Sequence, residues 1–393
     1  MKRKALNQQA EKFSFLLLML FSLPVLVLAQ ARTVNMPPEV QPDNSVIFRI
    51  KAPDAKKVVL LGTWPPSKYE FTIPMERKDS IFELKVGPLP SAMYEYRYLV
   101  DGISVTEPAN SLVTRDGIYV ENRLMVPGPQ ADLYDAKNVP HGRVTAVWYP
   151  SPTLGSERRM SVYTPPGYEK SNKRYPVLYL LHGAGGDEEV WINRGRANYI
   201  LDNLIAAGAA VPMIVVITNG NPNTPAAPLD RSYAVKVNDN IMGGMASQKF
   251  EESLVKDVIP YIESNYRVIA DPDHRAITGY SMGGFQTQNI TNGNPDKFKY
   301  IGVMSMGLFS SAMAGTKYDK DAHVKQLEAV KKSNPKVYWI GIGKSDFLYQ
   351  SVVKLRALYD EVGLKYTYAE TDNRHEWNAW RMYLTAFAPM CFK

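Results

Sequence analysis

Hydrophobic and polar positions change their rhythm twice along this chain, and each change marks a boundary. From residue 44 to about residue 126, short apolar–polar alternations recur between turn residues, at 45–51, 57–61, 81–86 and 94–100. The last run sets Tyr94, Tyr96 and Tyr98 against Glu95 and Arg97, the period of a strand with one buried face. Asp101-Gly102 follows as a tight turn, because both residues tolerate positive φ. No helical period appears here, so residues 36–126 are expected to form a small all-β, immunoglobulin-like sandwich. Pro127, Gly128 and Pro129 then stop both helix and sheet, and 127–150 reads as a linker.

Beyond the linker, near-continuous apolar runs at 175–181, 213–218, 275–278, 300–305, 337–342 and 365–369 alternate with amphipathic segments. In the segment 248–265, Phe250, Leu254, Val255, Val258, Ile259 and Ile262 share one helical face. Apolar strands with helical crossovers predict an α/β domain over 151–393, a mainly parallel sheet covered by helices on both faces. The stretch 219–247, rich in Asn, Pro, Gly and Ala, follows a strand and so lies at the carboxyl edge where such sheets bind ligands.

The first 31 residues change the charge reading. Lys2, Arg3, Lys4 and Lys12 precede an apolar run at 13–28 that ends in Ala29-Gln30-Ala31, the pattern of a secretory signal peptide cleaved near Ala31. Secreted or periplasmic residence is expected, with no membrane span in the mature chain. The formal charge of +7 on 393 residues drops to +4 once these four basic residues and Glu11 are removed, so no nucleic-acid partner is inferred. A single cysteine, Cys391, excludes a disulfide scaffold and a thiolate zinc site.

The chemistry concentrates in Gly279-Tyr280-Ser281-Met282-Gly283-Gly284, a G-x-S-x-G elbow between a strand and a helix. Such a turn lifts a serine hydroxyl clear of the backbone and aims a helix N-terminus at developing negative charge. A hydroxyl needs a base, and the base needs an orienting acid. Of five histidines, His375 alone follows the last strand and precedes a C-terminal helix; Asp346 follows the strand before it, with Asp372 as the rival acid. The chain order Ser281, Asp346, His375 is that of α/β-hydrolases. Backbone N–H groups of Met282 and of Ala184, in the small-residue segment 182–186, are the expected oxyanion donors, with Gly183 as the alternative to Ala184, while His182 orders that loop. Trp191 and Trp377 are the candidate substrate-binding aromatics. No H-E-x-x-H pair or P-loop ending occurs, so neither a metal nor a cofactor is expected.

With these residues in view, the chain resembles the family 1 carbohydrate esterases, the feruloyl and acetylxylan esterase group related to esterase D. The resemblance runs through 158–168, 180–187, 196–205 and 279–284; residues 51–64 and 94–102 resemble a family 48 carbohydrate-binding module. It implies a serine carboxylesterase that removes feruloyl groups from plant hemicellulose such as arabinoxylan through an acyl-enzyme on Ser281. The partners implied are feruloylated or acetylated hemicellulose or its oligosaccharides. An acetylxylan esterase, a siderophore-ester hydrolase, an acyl transferase and a non-catalytic carbohydrate-binding protein are the alternatives. Glycogen-binding relatives of the module carry a tryptophan where this chain has Ile103, which counts against starch binding and leaves Trp64 as the remaining aromatic platform.

Overall fold

The computed structural model describes residues 37–65, 71–117, 119–227, 248–308 and 318–393. The expected signal segment and residues 228–247 of the long loop lie outside the described residues.

The N-terminal alternation folds into two antiparallel sheets facing each other, one of four strands and one of six. Val46–Lys51 and Ile81–Val86 pair in the first; Val58–Gly62, Ala92–Val100 and Tyr119–Val126 lie side by side in the second. Phe48, Leu60, Trp64, Tyr94, Tyr96 and Tyr98 fill the space between the sheets. Trp64 is 1% exposed and packs against Phe48 and Tyr94. It is therefore core, with no free face for a sugar ring.

The strand Ala92–Val100 departs from the one-face expectation in an informative way. Its tyrosines enter the sandwich core, but Met93 joins the core of the large sheet and Glu95 is only 3% exposed. The polar face of this strand is covered by the rest of the chain instead of water.

The large sheet has eight strands. In spatial order they are Arg143–Ser151, Ser156–Thr164, Ile214–Thr218, Val177–Leu181, Arg275–Tyr280, Tyr300–Met304, Val337–Gly343 and Thr367–Thr371. The last six run parallel; the first two are an antiparallel hairpin at the edge. The edge strand begins at Arg143, inside the segment expected as linker. Its residues 143–146 are exposed and mixed in character, so they carry little apolar signal. Helices cover both faces, giving two apolar layers: one holds Phe250, Leu254, Val258 and Ile262, the other Trp191, Ile200, Trp380 and Leu384. The expected helix at 248–265 is helical from Lys249 to Asn265, with a wider turn at Leu254–Val258 just before Pro260. This is an α/β-hydrolase fold preceded by an all-β region. Cys391 is wholly buried under the C-terminal helix, where burial pushes its thiol pKa up, so it is not placed to link chains.

Candidate active site

Every candidate for chemistry follows a parallel strand at the same edge. Ser281 comes directly after Arg275–Tyr280, with φ 53° and ψ −120°, and the helix Met282–Gly293 starts at the next residue. This backbone is costly for a residue with a side chain, on the order of 1–3 kcal/mol, and is held by its neighbours. The Ser281 N–H donates to Met304 O at 3.0 Å. Glycines allow the close packing: a Cβ on Gly279 would lie 2.6 Å from the Gly283 carbonyl carbon, and one on Gly283 would lie 2.7 Å from His182 O.

Gly343 ends its strand so close to the next loop that a Cβ there would meet Asn373 O at 1.9 Å. That contact brings the loops carrying Asp346 and His375 together. Asp346 has a fully buried side chain, and its Oδ1 accepts from the Leu348 N–H at 2.8 Å. His375 Nδ1 lies 2.9 Å from Asp346 Oδ2, and His375 Nε2 lies 3.0 Å from Ser281 Oγ. An Nδ1–H that donates to the carboxylate leaves Nε2 free to accept the serine proton, the arrangement a nucleophile–base pair requires. The rival Asp372 has a side chain that is 93% exposed, with Lys344 Nζ at 3.2 Å. Aromatic rings flank the imidazole. Trp380 presents an edge at 5.1 Å, and Phe347, 70% exposed, lies 4.5 Å away.

Met282, as the first residue of its helix, has an N–H with no intrahelical acceptor. Ala184, the other expected donor, is exposed in a loop whose base is fixed by His182. The Gly220 N–H donates to His182 Nε2 at 2.8 Å, so the imidazole carries its proton on Nδ1 and donates to Gly183 O at 2.7 Å. The described part of the long loop is tied down by Arg158, which donates to the carbonyls of Asn219, Asn221 and Pro222, and by buried Glu188, which accepts from Asn219 and Ala227.

The two candidate aromatics separate. Trp191 is wholly buried, gives its indole N–H to Leu181 O at 3.0 Å and meets Tyr280 and Trp377 edge-on. It supports the floor of the site and has no face to offer a substrate, which corrects its assignment as a substrate-binding residue. Trp377 lines a cavity next to His375, together with Arg374, Asn378, Trp380 and Arg194. Thr63, Glu95 and Asp116 of the N-terminal region close its other side.

From the sequence the N-terminal region is expected to pack beside the catalytic site, but the charged residues that build this wall were not singled out. Arg194 donates to Asp116 at 2.8 Å and reaches Glu95 and Glu121, while fully buried Arg381 donates to Glu95 at 3.1 Å and to the Arg194 carbonyl. Burial alone would raise the Glu95 pKa, but the two guanidiniums outweigh it and hold the carboxyl below its ordinary range. The available signal was slight: arginines beside tryptophans at 191–196 and 377–381. Among the described residues, no three His, Cys, Asp or Glu side chains converge to hold a metal ion, and no helix is long and apolar enough to cross a membrane.

Known proteins resemble this chain in sequence and in fold. An endo-1,4-beta-xylanase/feruloyl esterase of Xylanibacter ruminicola is 30% identical over 372 residues, which span 91% of this chain and 46% of that protein. The chain thus covers less than half the length of this curated relative. A solved ferulic acid esterase is 27% identical with a TM-score of 0.52, covering 64% of this chain and 97% of its own. The enterobactin esterase of Shigella flexneri is only 15% identical but has a TM-score of 0.62 over 90% of this chain and 95% of its own, so its likeness of fold extends through the N-terminal region. Residues 151–390 match the family model described as putative esterase, and the chain belongs to that family.

Proposed function

We propose that this protein is a serine carboxylesterase that releases feruloyl groups from plant hemicellulose such as arabinoxylan. The observation that carries the reading is the continuous relay from Ser281 Oγ through His375 to buried Asp346, seated on a strained elbow. In this reading His375 Nε2 takes the Ser281 proton as Oγ attacks the ester carbonyl, and Asp346 stabilises the imidazolium that forms. The N–H groups of Met282 and Ala184 receive the oxyanion. His375 then protonates the departing sugar alkoxide, leaving a feruloyl group on Ser281. Water, deprotonated by the same imidazole, attacks that acyl-enzyme and frees ferulate. Trp377 forms a wall beside His375, and the exposed Phe347 offers an aromatic face there. The feruloyl assignment rests on the relatives named above. A polymeric substrate also accords with export directed by residues 1–31.

The test compares methyl ferulate, feruloylated arabinoxylan and acetylated xylan with wild type and Ser281→Ala. The substitution is expected to lower kcat by about 10⁴-fold or more on every substrate hydrolysed, because nucleophile and base act as a unit. Undiminished activity in Ser281→Ala would remove the nucleophile assignment. Faster release of acetate from acetylated xylan than of ferulate would replace the feruloyl reading with an acetylxylan esterase.

A further inference from the structure

Three consecutive residues of the N-terminal region, Arg115, Asp116 and Gly117, reach the proposed active centre, each at a different place. They sit where the strand Val113–Asp116 turns toward its partner Tyr119–Val126. Arg115 donates to both carboxylate oxygens of Asp187, one of them at 3.1 Å, and to Glu189 Oε2 at 2.8 Å. Asp187 is buried, and its Oδ1 also accepts from the Glu189 N–H at 2.9 Å, so this one carboxylate ties the end of the 183–187 loop to the hairpin. Arg115 further donates to the carbonyl of Gly117 at 3.0 Å, which fixes its own turn. Gly117, at φ +58°, lies against the middle of the same loop: a Cβ there would stand 2.1 Å from Gly185 O. Asp116 accepts from Arg194 and from the Trp377 indole N–H at 3.2 Å, two residues beyond His375.

The 183–187 loop needs such a brace. Gly183, Gly185 and Gly186 give it more conformational freedom than any other residue type would. His182 fixes its inner end, while Arg115 and Gly117 bear on its middle and outer end. An oxyanion donor works only when it is fixed in place before charge develops, and a displacement of about 1 Å can cost on the order of 100-fold in rate.

We propose that the hairpin at 113–126 is part of the active centre and that Arg115 is a positioning residue, holding the 183–187 loop so that the Ala184 N–H meets the oxyanion. This rests on the ester-hydrolysis reading above. It differs from a sugar-binding role for the N-terminal region, because the defect falls on the reaction itself and appears with esters that carry no sugar.

The experiment uses the full chain with p-nitrophenyl acetate and methyl ferulate. Arg115→Ala is expected to lower kcat by about 10- to 100-fold with KM within about threefold. The inhibition constant of phenylboronic acid, which bonds to Ser281 Oγ and presents a tetrahedral anion to the loop, is expected to rise by the same factor. Arg115→Lys, with one cationic donor group in place of the fork, is expected to fall between. Unchanged kcat in a folded Arg115→Ala overturns the proposal, as does a loss of kcat that leaves boronate affinity untouched. If Arg115→Ala does not fold, Gly117→Ala decides: its methyl presses on Gly185 while the ion pairs remain, so a matched loss in kcat and boronate affinity supports the proposal and wild-type values overturn it. Activity retained by Ser281→Ala would instead sink the ester-hydrolysis reading, a result distinct from either.

Discussion

Two polar clusters occupy the same edge of the large sheet, and they are built for opposite purposes. Ser281, His375 and Asp346 form a line of three groups held at hydrogen-bond distance, which in the proposed reading lets His375 take the Ser281 proton while Asp346 stabilises the imidazolium. Arg194, Arg381, Glu95, Glu121 and Asp116 form a web in which buried charges of both signs hold each other in place. The first cluster works because its charge can change. The second works because its charges do not, and it fastens the N-terminal region to the wall of the cavity beside His375.

Substitutions in the two clusters should therefore fail differently. Asp346→Asn leaves the shape of the site but favours the wrong imidazole tautomer, so kcat is expected to fall by about 10³- to 10⁴-fold with little change in melting temperature. A large drop in melting temperature instead would make Asp346 a structural group and erase the contrast. Glu95→Gln should do the reverse: it leaves the wholly buried Arg381 guanidinium without a carboxylate, while Arg194 keeps Asp116 and Glu121, and should cost roughly 3–5 kcal/mol at pH 7, read by denaturant unfolding, with a much smaller effect on kcat.

The Glu95 effect also has a signed pH dependence. Because its folded pKa lies below the ordinary 4.5, its contribution is fully present above that pH and is lost as pH falls through the lowered value. The stability gap between wild type and Glu95→Gln should accordingly close in strong acid; a gap that widens there would reverse the assignment. The smallest effect is expected for Asp372→Ala. That carboxylate faces solvent, so kcat should stay within about twofold of wild type, and a larger loss would reopen the choice of acid.

The line of three was legible in the sequence because each member follows a strand of the α/β run, and a parallel sheet delivers all such positions to one edge. The elbow glycines fixed the serine, and the small number of histidines left little choice of base. The web was not legible, for a physical reason visible in one strand. Alternation at 94–100 correctly sent Tyr94, Tyr96 and Tyr98 inward, but period alone does not say what covers the other face. Glu95 looked like a solvent residue and is buried by Arg194 and Arg381, which lie far along the chain. Trp191 shows the same limit from the opposite side. Proximity to the 183–187 loop in sequence suggested contact with substrate, whereas packing against Tyr280 and Trp377 placed the ring beneath the site.

By itself the sequence determined the elements: an all-β run followed by an α/β run, and the chain order of the candidate nucleophile, acid and base, each after a strand of that second run. These follow from period, turn residues and the one-way geometry of parallel strands, all of which are local or topological. Only the tertiary structure decided how the two regions meet, which aromatic ring is floor and which is wall, and that Arg115 and Gly117 bear on the loop opposite Ser281. Such contacts join surfaces that lie far apart in the sequence and become neighbours only in the folded chain.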